Sequence, residues 1–167
     1  VSKIGFSGNN QIKDSELKDV VSIKEKTIFN EAKVLIDERA LRDLYLNKGF
    51  TNIRVASQKL EQTDGSIQVV FNISEGKPTI VTSISFEGNE SFAQKSLKKE
   101  MQQKEKSLFE KGVFQEVYVE LDKQNIINFY NERGYIETSI IDVKRDNFFN
   151  EADNRNELSL TFLIREG

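Results

Sequence analysis

The chain has 167 residues, of which 37% are hydrophobic and 31% are charged, and its formal net charge is −3. It contains no histidine and no cysteine, so the usual general base near neutral pH, thiolate nucleophiles and the common zinc ligands are missing. Residues 1–78 carry 12 basic and 11 acidic side chains, and residues 79–167 carry 12 and 16. This balance disfavours a phosphate-binding surface. We therefore expect neither an enzyme nor a nucleic-acid-binding protein, and no cofactor or metal.

An internal repeat of about 80 residues organises the chain. Its first copy opens with Ile4, Phe6, Gly8 and Asn9 and ends at Glu75 and Gly76; its second opens with Ile84, Phe86, Gly88 and Asn89 and ends at Glu166 and Gly167. A repeat of this length sets the domain count, and we predict one domain over residues 1–77 and a second over residues 78–167. Pro78, the only proline, should stiffen the junction.

The first copy predicts the element order β-α-α-β-β. Ile4 and Phe6 alternate with polar or small residues, which indicates a short strand with one buried face. A short helix should begin near Asp14, and a longer helix with an apolar stripe should follow Phe29. Two alternating strands then flank an Asp-Gly pair at residues 64–65, which is typical of a tight hairpin turn.

The second copy predicts the same elements with two insertions. Five extra residues fall between its helices, within residues 105–114, and about six extend its last hairpin loop, residues 146–156. That loop contains Phe148 and Phe149. They could extend the strand or fold onto the sheet, or they could form an exposed tip that binds a partner.

Strand directions predict the sheet order. If the first strand runs up, the two helices run down and then up, the second strand runs down and the third runs up. The third strand can then pair antiparallel with the second and parallel with the first, which gives order 1-3-2 with the second strand at an edge. We therefore expect the α+β class: two tandem β-α-α-β-β domains, each a three-stranded mixed sheet packed by two helices.

Two pairs of recurring polar residues on the longer helices could be taken for a site. Tyr45 and Tyr130 occupy the apolar stripe, so we expect them in the core. Asp37 and Asp122 could be general acids only beside another carboxylate in a cleft. Because lysine and arginine residues are nearby in the sequence, we expect these two aspartates on a solvated face or in local ion pairs.

These features together resemble the POTRA (polypeptide-transport-associated) domain. They are a strand that ends in Phe-x-Gly-Asn, a helix that ends in Tyr-(x)3-Gly-[Phe/Tyr], a closing strand that ends in Glu-Gly, and a Glu-Gly-x-Pro junction. Residues 127–137 are especially similar to POTRA domains of the BamA type, from the outer-membrane β-barrel assembly machinery. The resemblance covers essentially the whole chain, and the fold of that family is the β-α-α-β-β unit predicted above.

The resemblance implies a periplasmic chaperone-like scaffold. Such modules precede a membrane β-barrel in the parent chain, receive unfolded outer-membrane proteins and dock accessory assembly lipoproteins. A two-partner secretion transporter, or another envelope protein with POTRA domains, is the alternative. A nucleic-acid module of the KH kind would need a Gly-x-x-Gly loop with basic neighbours, which neither copy supplies.

The mechanism that the resemblance implies is β-augmentation, in which an extended client pairs with an unpaired edge strand. The second strands, residues 52–60 and 137–145, are the predicted edges. The candidate partner-binding residues are Ile53, Arg54, Val55, Ala56, Ser57, Ser139, Ile140, Ile141, Asp142 and Val143. Charged side chains along both strands, such as Arg54, Lys59 and Lys144, would equally serve to protect an edge that is never used.

Overall fold

The computed structural model describes all 167 residues, which form two compact units. The first unit comprises Val1–Leu46 and Phe50–Gly76, and the second comprises Asn47–Gly49 and Lys77–Gly167. Each unit contains one β-α-α-β-β set of elements. They are called the first and the second domain below.

The first domain contains three strands and two helices. These are β1 (Lys3–Ser7), α1 (Asp14–Val20), α2 (Glu31–Asn47), β2 (Arg54–Glu61) and β3 (Ile67–Ser74). The central strand β3 pairs parallel with β1 and antiparallel with β2. The order is therefore β1-β3-β2, as the strand directions predicted, and β2 lies at an edge.

The second domain repeats this architecture. Its elements are β4 (Thr79–Glu87), α3 (Gln94–Glu100), α4 (Glu116–Asn131), β5 (Ser139–Asn150) and β6 (Arg155–Arg165). The sheet order is β4-β6-β5, with β4 parallel and β5 antiparallel to the central strand. The predicted class and the 1-3-2 order are thus confirmed in both domains.

One face of each sheet is buried. In the first domain Val69, Phe71 and Ile73 of β3 are buried in alternation with more exposed neighbours, which is the period of a strand with one wet face. Leu41 and Tyr45 of α2 are fully buried in the same core. The stripe on the longer helix is therefore the surface that covers the sheet.

The Gly-Asn pair after the first strand lets the chain turn in close contact with the backbone of β3. Gly8 has a φ of +81°, and a Cβ at this position would lie 2.0 Å from the carbonyl oxygen of Ile73. Asn9 closes the turn by donating from Nδ2 to the carbonyl of Ile12 over 2.9 Å. The second domain repeats both contacts, with Gly88 against Ile164 and Asn89 bonded to Phe92, so the motif serves the fold.

The predicted insertion between the helices of the second domain runs along β4. The amide of Val81 donates to the carbonyl of Gly112 over 2.7 Å, and the amide of Lys106 donates to the carbonyl of Val81 over 2.8 Å. Leu108 and Phe109 at the far end of this segment are each 96% exposed. The segment covers part of the outer edge of β4, so β5 is the more open edge of this sheet.

The long hairpin of the second domain is mostly strand. Phe148 pairs with Glu157 and Phe149 pairs with Asn156 in the β5–β6 ladder, so both phenylalanines lie in β5 and not in a loop. The connecting loop shrinks to residues 151–154. The predicted loop over residues 146–156 was therefore too long, and the extra residues lengthen the antiparallel pair.

Candidate strand-binding edges

The alternation of backbone groups along β2 can be fixed from its hairpin. The amide of Gln62 donates to the carbonyl of Ser66 over 2.8 Å, so even-numbered residues of β2 turn their backbone groups toward β3. The odd-numbered residues Val55, Ser57 and Lys59 consequently direct their amides and carbonyls away from the sheet. This row is the outward backbone of the first domain's edge, and it pairs with no other strand.

A groove of about 290 Å³ runs between this edge and the start of α2. Its lining consists of Phe29, Glu31, Val34, Leu35, Ser57, Gln58, Lys59 and Val69. The Lys59 ammonium lies 5.0 Å from the centre of the Phe29 ring and 2.9 Å from a carboxylate oxygen of Glu61. Leu35 is half exposed, so the groove offers apolar as well as polar and charged side chains beside the outward backbone of β2.

The backbone groups along the edge of the second domain alternate in the same way as those along β2. The amide of Asn156 in β6 donates to the carbonyl of Pro78 over 2.9 Å, so even-numbered residues of β6 face β4. Their partners in β5 are the odd-numbered residues Val143, Arg145 and Asn147. These three therefore direct their backbone groups outward, and a register shift between Ile140 and Asp142 leaves Ile141 largely exposed.

In the second domain an ion pair spans the place that corresponds to the groove of the first domain. Arg145 donates two hydrogen bonds to the carboxylate of Glu116, over 2.6 and 2.8 Å, and its guanidinium lies 5.6 Å from the centre of the Phe114 ring. The hydrogen bond from Arg145 lowers the pKa of Glu116. Where Lys59 leaves the first groove open, Arg145 ties the edge strand to the start of α4.

The predicted partner-binding residues are not equally accessible. Ile53 lies just before β2 and is buried, so it belongs to the core and not to the edge surface. In β2, Arg54 and Ala56 are exposed while Val55 and Ser57 are half-buried. In β5 the half-buried residues are Ser139, Ile140 and Val143, and the exposed ones are Ile141 and Asp142.

The two recurring tyrosines are structural, and each contacts a glutamate for which no role was predicted from the sequence. Tyr45 donates to Glu75 and Tyr130 donates to Glu166, both over 2.8 Å. Burial, reinforced by the neighbouring carboxylate, raises the pKa of both tyrosines. The glutamate of the Glu-Gly motif therefore receives the core tyrosine, and its recurrence in both copies was the signal for this contact.

The prediction that Asp37 and Asp122 are solvated or ion-paired was wrong. Both are almost fully buried, at 1% and 0% exposure. Each carboxylate accepts two backbone amides from the chain that follows the shorter helix: those of Ser22 and Ile23 for Asp37, and those of Gln102 and Gln103 for Asp122. Burial raises the pKa of Asp122 against the opposing effect of these hydrogen bonds.

Other kinds of site find little support. No group of three or more Asp, Glu, His or Cys side chains is placed to hold a metal ion. No helix combines the length and the apolar character that a membrane crossing needs.

Comparison with known proteins agrees with this architecture. The sequence pattern of the family described as "POTRA: Surface antigen variable number repeat" matches residues 1–76 and 79–167. A Treponema pallidum protein named as an outer membrane protein assembly factor is 34% identical over 167 residues, and the Neisseria meningitidis outer membrane protein assembly factor BamA is 24% identical over 179. All of this chain is covered, but only 20% and 21% of those relatives.

A solved structure is similar in fold. The crystal structure of Haemophilus influenzae BamA POTRA3-5 superposes with a TM-score of 0.63 at 19% sequence identity, and the match covers 100% of this chain and 66% of that one. At this identity the likeness concerns the fold alone. The chain spans about a fifth of the length of the relatives named above.

Proposed function

Because the chain belongs to the POTRA family, we propose that its two domains form a periplasmic chaperone-like scaffold of outer-membrane β-barrel protein assembly. In this role the edge strands β2 and β5 bind extended segments of unfolded outer-membrane proteins by β-augmentation. Accessory assembly lipoproteins are the second class of partner, and the parent chain is held at the outer membrane by a β-barrel. The names of the similar relatives support this assignment over a secretion transporter.

The observation that carries the proposal is a partly apolar groove beside an edge strand whose outward backbone pairs with no other strand. A client strand added to β2 would pair with the outward backbone of Val55, Ser57 and Lys59. Every second client side chain would then point to the helix side of the sheet, over the groove lined by Phe29 and Leu35. The remaining client side chains would point to the solvated face.

This arrangement suits the proposed clients. Strands of outer-membrane barrels alternate apolar and polar residues, so an unfolded segment of such a strand has the period that the groove and the solvent require. Backbone pairing itself reads little sequence. An edge of this kind can therefore serve many different clients.

The two edges should bind a client through different contacts. β5 has 12 residues against 8 in β2, so it offers a longer ladder. Its groove position, however, is bridged by Arg145 and Glu116. We therefore assign apolar side-chain binding mainly to the first domain and backbone pairing to both.

A nuclear magnetic resonance titration tests the proposal. The probe is a ten-residue peptide of alternating apolar and polar residues with a lysine at each end, added to the ¹⁵N-labelled chain. We expect the amide signals of β2 and β5 to shift, those of Val55, Ser57 and Lys59 most strongly within β2. Peptide-induced shifts confined to other parts of the sheets would contradict the proposal.

A pair of variants at one position isolates the backbone contribution. Lys59→Pro removes an outward amide without removing a bond to β3, whereas Lys59→Ala removes the same side chain and keeps the amide. If the edge binds clients, Lys59→Pro should bind the peptide about five- to tenfold more weakly than Lys59→Ala, as expected for one hydrogen bond. Equal affinities would mean that the outward backbone is not used.

A further inference from the structure

The outward amide near the middle of β2 already has a partner. Ser57 directs its amide away from β3, and this amide donates to Oε1 of Glu38 over 2.6 Å. Glu38 lies on α2 and is half-buried. A helix side chain thus occupies the donor that a client carbonyl would need.

The outward amide at the matching position of β5 is occupied as well. Val143 directs its amide away from β6, and this amide donates to Oδ1 of Asp142 over 2.8 Å. Asp142 is the preceding residue of the same strand and is exposed. Here the acceptor is local and does not tie the edge to a helix.

The two amides occupy equivalent places in the two sheets. Ser57 lies opposite Phe71, which pairs in turn with Phe6 of β1. Val143 lies opposite Phe162, and Phe162 pairs with a phenylalanine of β4 in the same way. The amides of Ser57 and Val143 are called the central edge donors. In the first domain the carboxylate that accepts from this donor lies on the longer helix, and in the second domain it belongs to the edge strand itself. The two domains thus make the same contact with residues at different positions.

From this we infer that Glu38 and Asp142 determine which strands the two edges accept. Each carboxylate competes with a client carbonyl for the central edge donor, so a client must displace a charge-assisted hydrogen bond before its ladder is complete. An extended segment that forms several backbone pairs can do so, whereas a short or irregular peptide cannot. This inference rests on the proposed function of the edges and adds to it a residue-level selection for long extended strands.

The two edges should differ in how readily they open. Displacing Glu38 means moving a half-buried side chain that joins α2 to β2, whereas Asp142 can rotate into solvent. The edge of β5 therefore accepts clients more easily, and the edge of β2 is the more selective. Removing Glu38 should accordingly change client affinity more than removing Asp142.

Titrations of the alternating ten-residue peptide into four variants test the inference. The variants are Glu38→Ala and Asp142→Ala, with Asp43→Ala and Glu151→Ala as controls that remove one exposed negative charge from the same domain. We expect Glu38→Ala to tighten binding at β2 about tenfold, Asp142→Ala to tighten binding at β5 by less, and both controls to match the unaltered chain.

Amide hydrogen exchange supplies a readout that needs no client. Exchange at Ser57 should accelerate in Glu38→Ala and only partly in Glu38→Gln, whose amide oxygen can still accept, while the unfolding midpoint shows that the domain remains folded. If peptide binds at the edges but Glu38→Ala gains no affinity, the inference fails and the proposed function stands. If neither the unaltered chain nor any variant shifts at β2 or β5, the proposed function fails and the inference fails with it.

Discussion

The hydroxyl of Tyr45 donates to Oε1 of Glu75 over 2.8 Å and joins the end of α2 to the residue that follows β3. The same oxygen accepts the amide of Gln11 over 2.9 Å, so one buried carboxylate connects three segments. In the second domain Glu166 receives Tyr130 together with the amide and the hydroxyl of Ser91. The glutamate of each Glu-Gly pair thus links the end of the longer helix to the segment that precedes the shorter helix.

Tyr45→Phe should therefore destabilise the first domain. The substitution keeps the ring in the core but removes the hydrogen bond that the buried Glu75 carboxylate accepts from the tyrosine hydroxyl, so we expect a loss of about 1–2 kcal/mol in unfolding free energy. Tyr130→Phe should lose less, because Glu166 is more exposed and keeps both bonds from Ser91. Urea unfolding followed through the amide signals of each domain measures the two losses separately; a larger loss for Tyr130→Phe would contradict this ranking.

The stability of the second domain should depend on pH through Glu166. Burial opposes ionisation of this carboxylate, but the hydrogen bonds from Ser91 and Tyr130 outweigh it and lower the pKa of Glu166 below its ordinary value of 4.5. A lowered folded-state pKa means that the group adds stability that is fully present above about pH 4.5 and is lost as the pH falls through the folded-state value.

Glu166→Gln is the matched variant for this pH dependence. The difference in unfolding free energy between the unaltered chain and the variant should be constant from pH 7 to about pH 5 and should shrink below pH 4.5. Taking the difference removes the contributions of the other carboxylates, Glu116 and Glu157 among them, whose pKa values are also lowered. A difference that stays the same down to pH 3 would show that Glu166 does not titrate in this way.

Local patterns were sufficient to predict the sheets. Alternation along the strands, the Gly-Asn turns and the direction of each element together gave the 1-3-2 order, because each of these depends on neighbours in the sequence. For Phe148 and Phe149 the sequence left extension of the strand and an exposed loop tip both open, because the polar residues around the pair look like a turn; the structure shows the extended strand. Strand pairing extended through them, since β6 offers partners as far as Arg155.

Contacts between distant segments could not be predicted in the same way. Whether Glu38 reaches Ser57 depends on the position of α2 over the sheet, which no local pattern specifies. Asp37 is different, because its burial did leave a signal. It stands four residues before Leu41 and eight before Tyr45, on the same stripe of α2, and this spacing should have outweighed the polarity of its side chain.

Removal of the buried aspartates should strongly destabilise both domains. Asp37→Ala and Asp122→Ala each remove a carboxylate that accepts two backbone amides, so we expect losses of about 2–4 kcal/mol in unfolding free energy. Asp37→Asn should lose less, because its amide oxygen retains one acceptor. Asp43→Ala removes an exposed aspartate from the same helix and should change stability by less than about 0.5 kcal/mol. Urea unfolding measures all four; similar losses for Asp37→Ala and Asp43→Ala would rule out the role given to Asp37.

Gly8 and Gly65 offer a matched test of the Gly-Asn turn, because both have a φ of +81°. A Cβ on Gly65 meets nothing within 4 Å, whereas a Cβ on Gly8 would lie 2.0 Å from the carbonyl oxygen of Ile73. Gly65→Ala should therefore lose only the roughly 1–2 kcal/mol of the left-handed backbone.

Gly8→Ala must in addition push β1 away from β3 or abandon the turn, so we expect a loss of at least about 3 kcal/mol. The amide exchange of β3 should rise with it, because the carbonyl in question belongs to that strand. Thermal unfolding of the two variants under one set of conditions gives the comparison directly. Equal losses would mean that the positive φ alone requires glycine at residue 8, and that the close approach to β3 adds nothing.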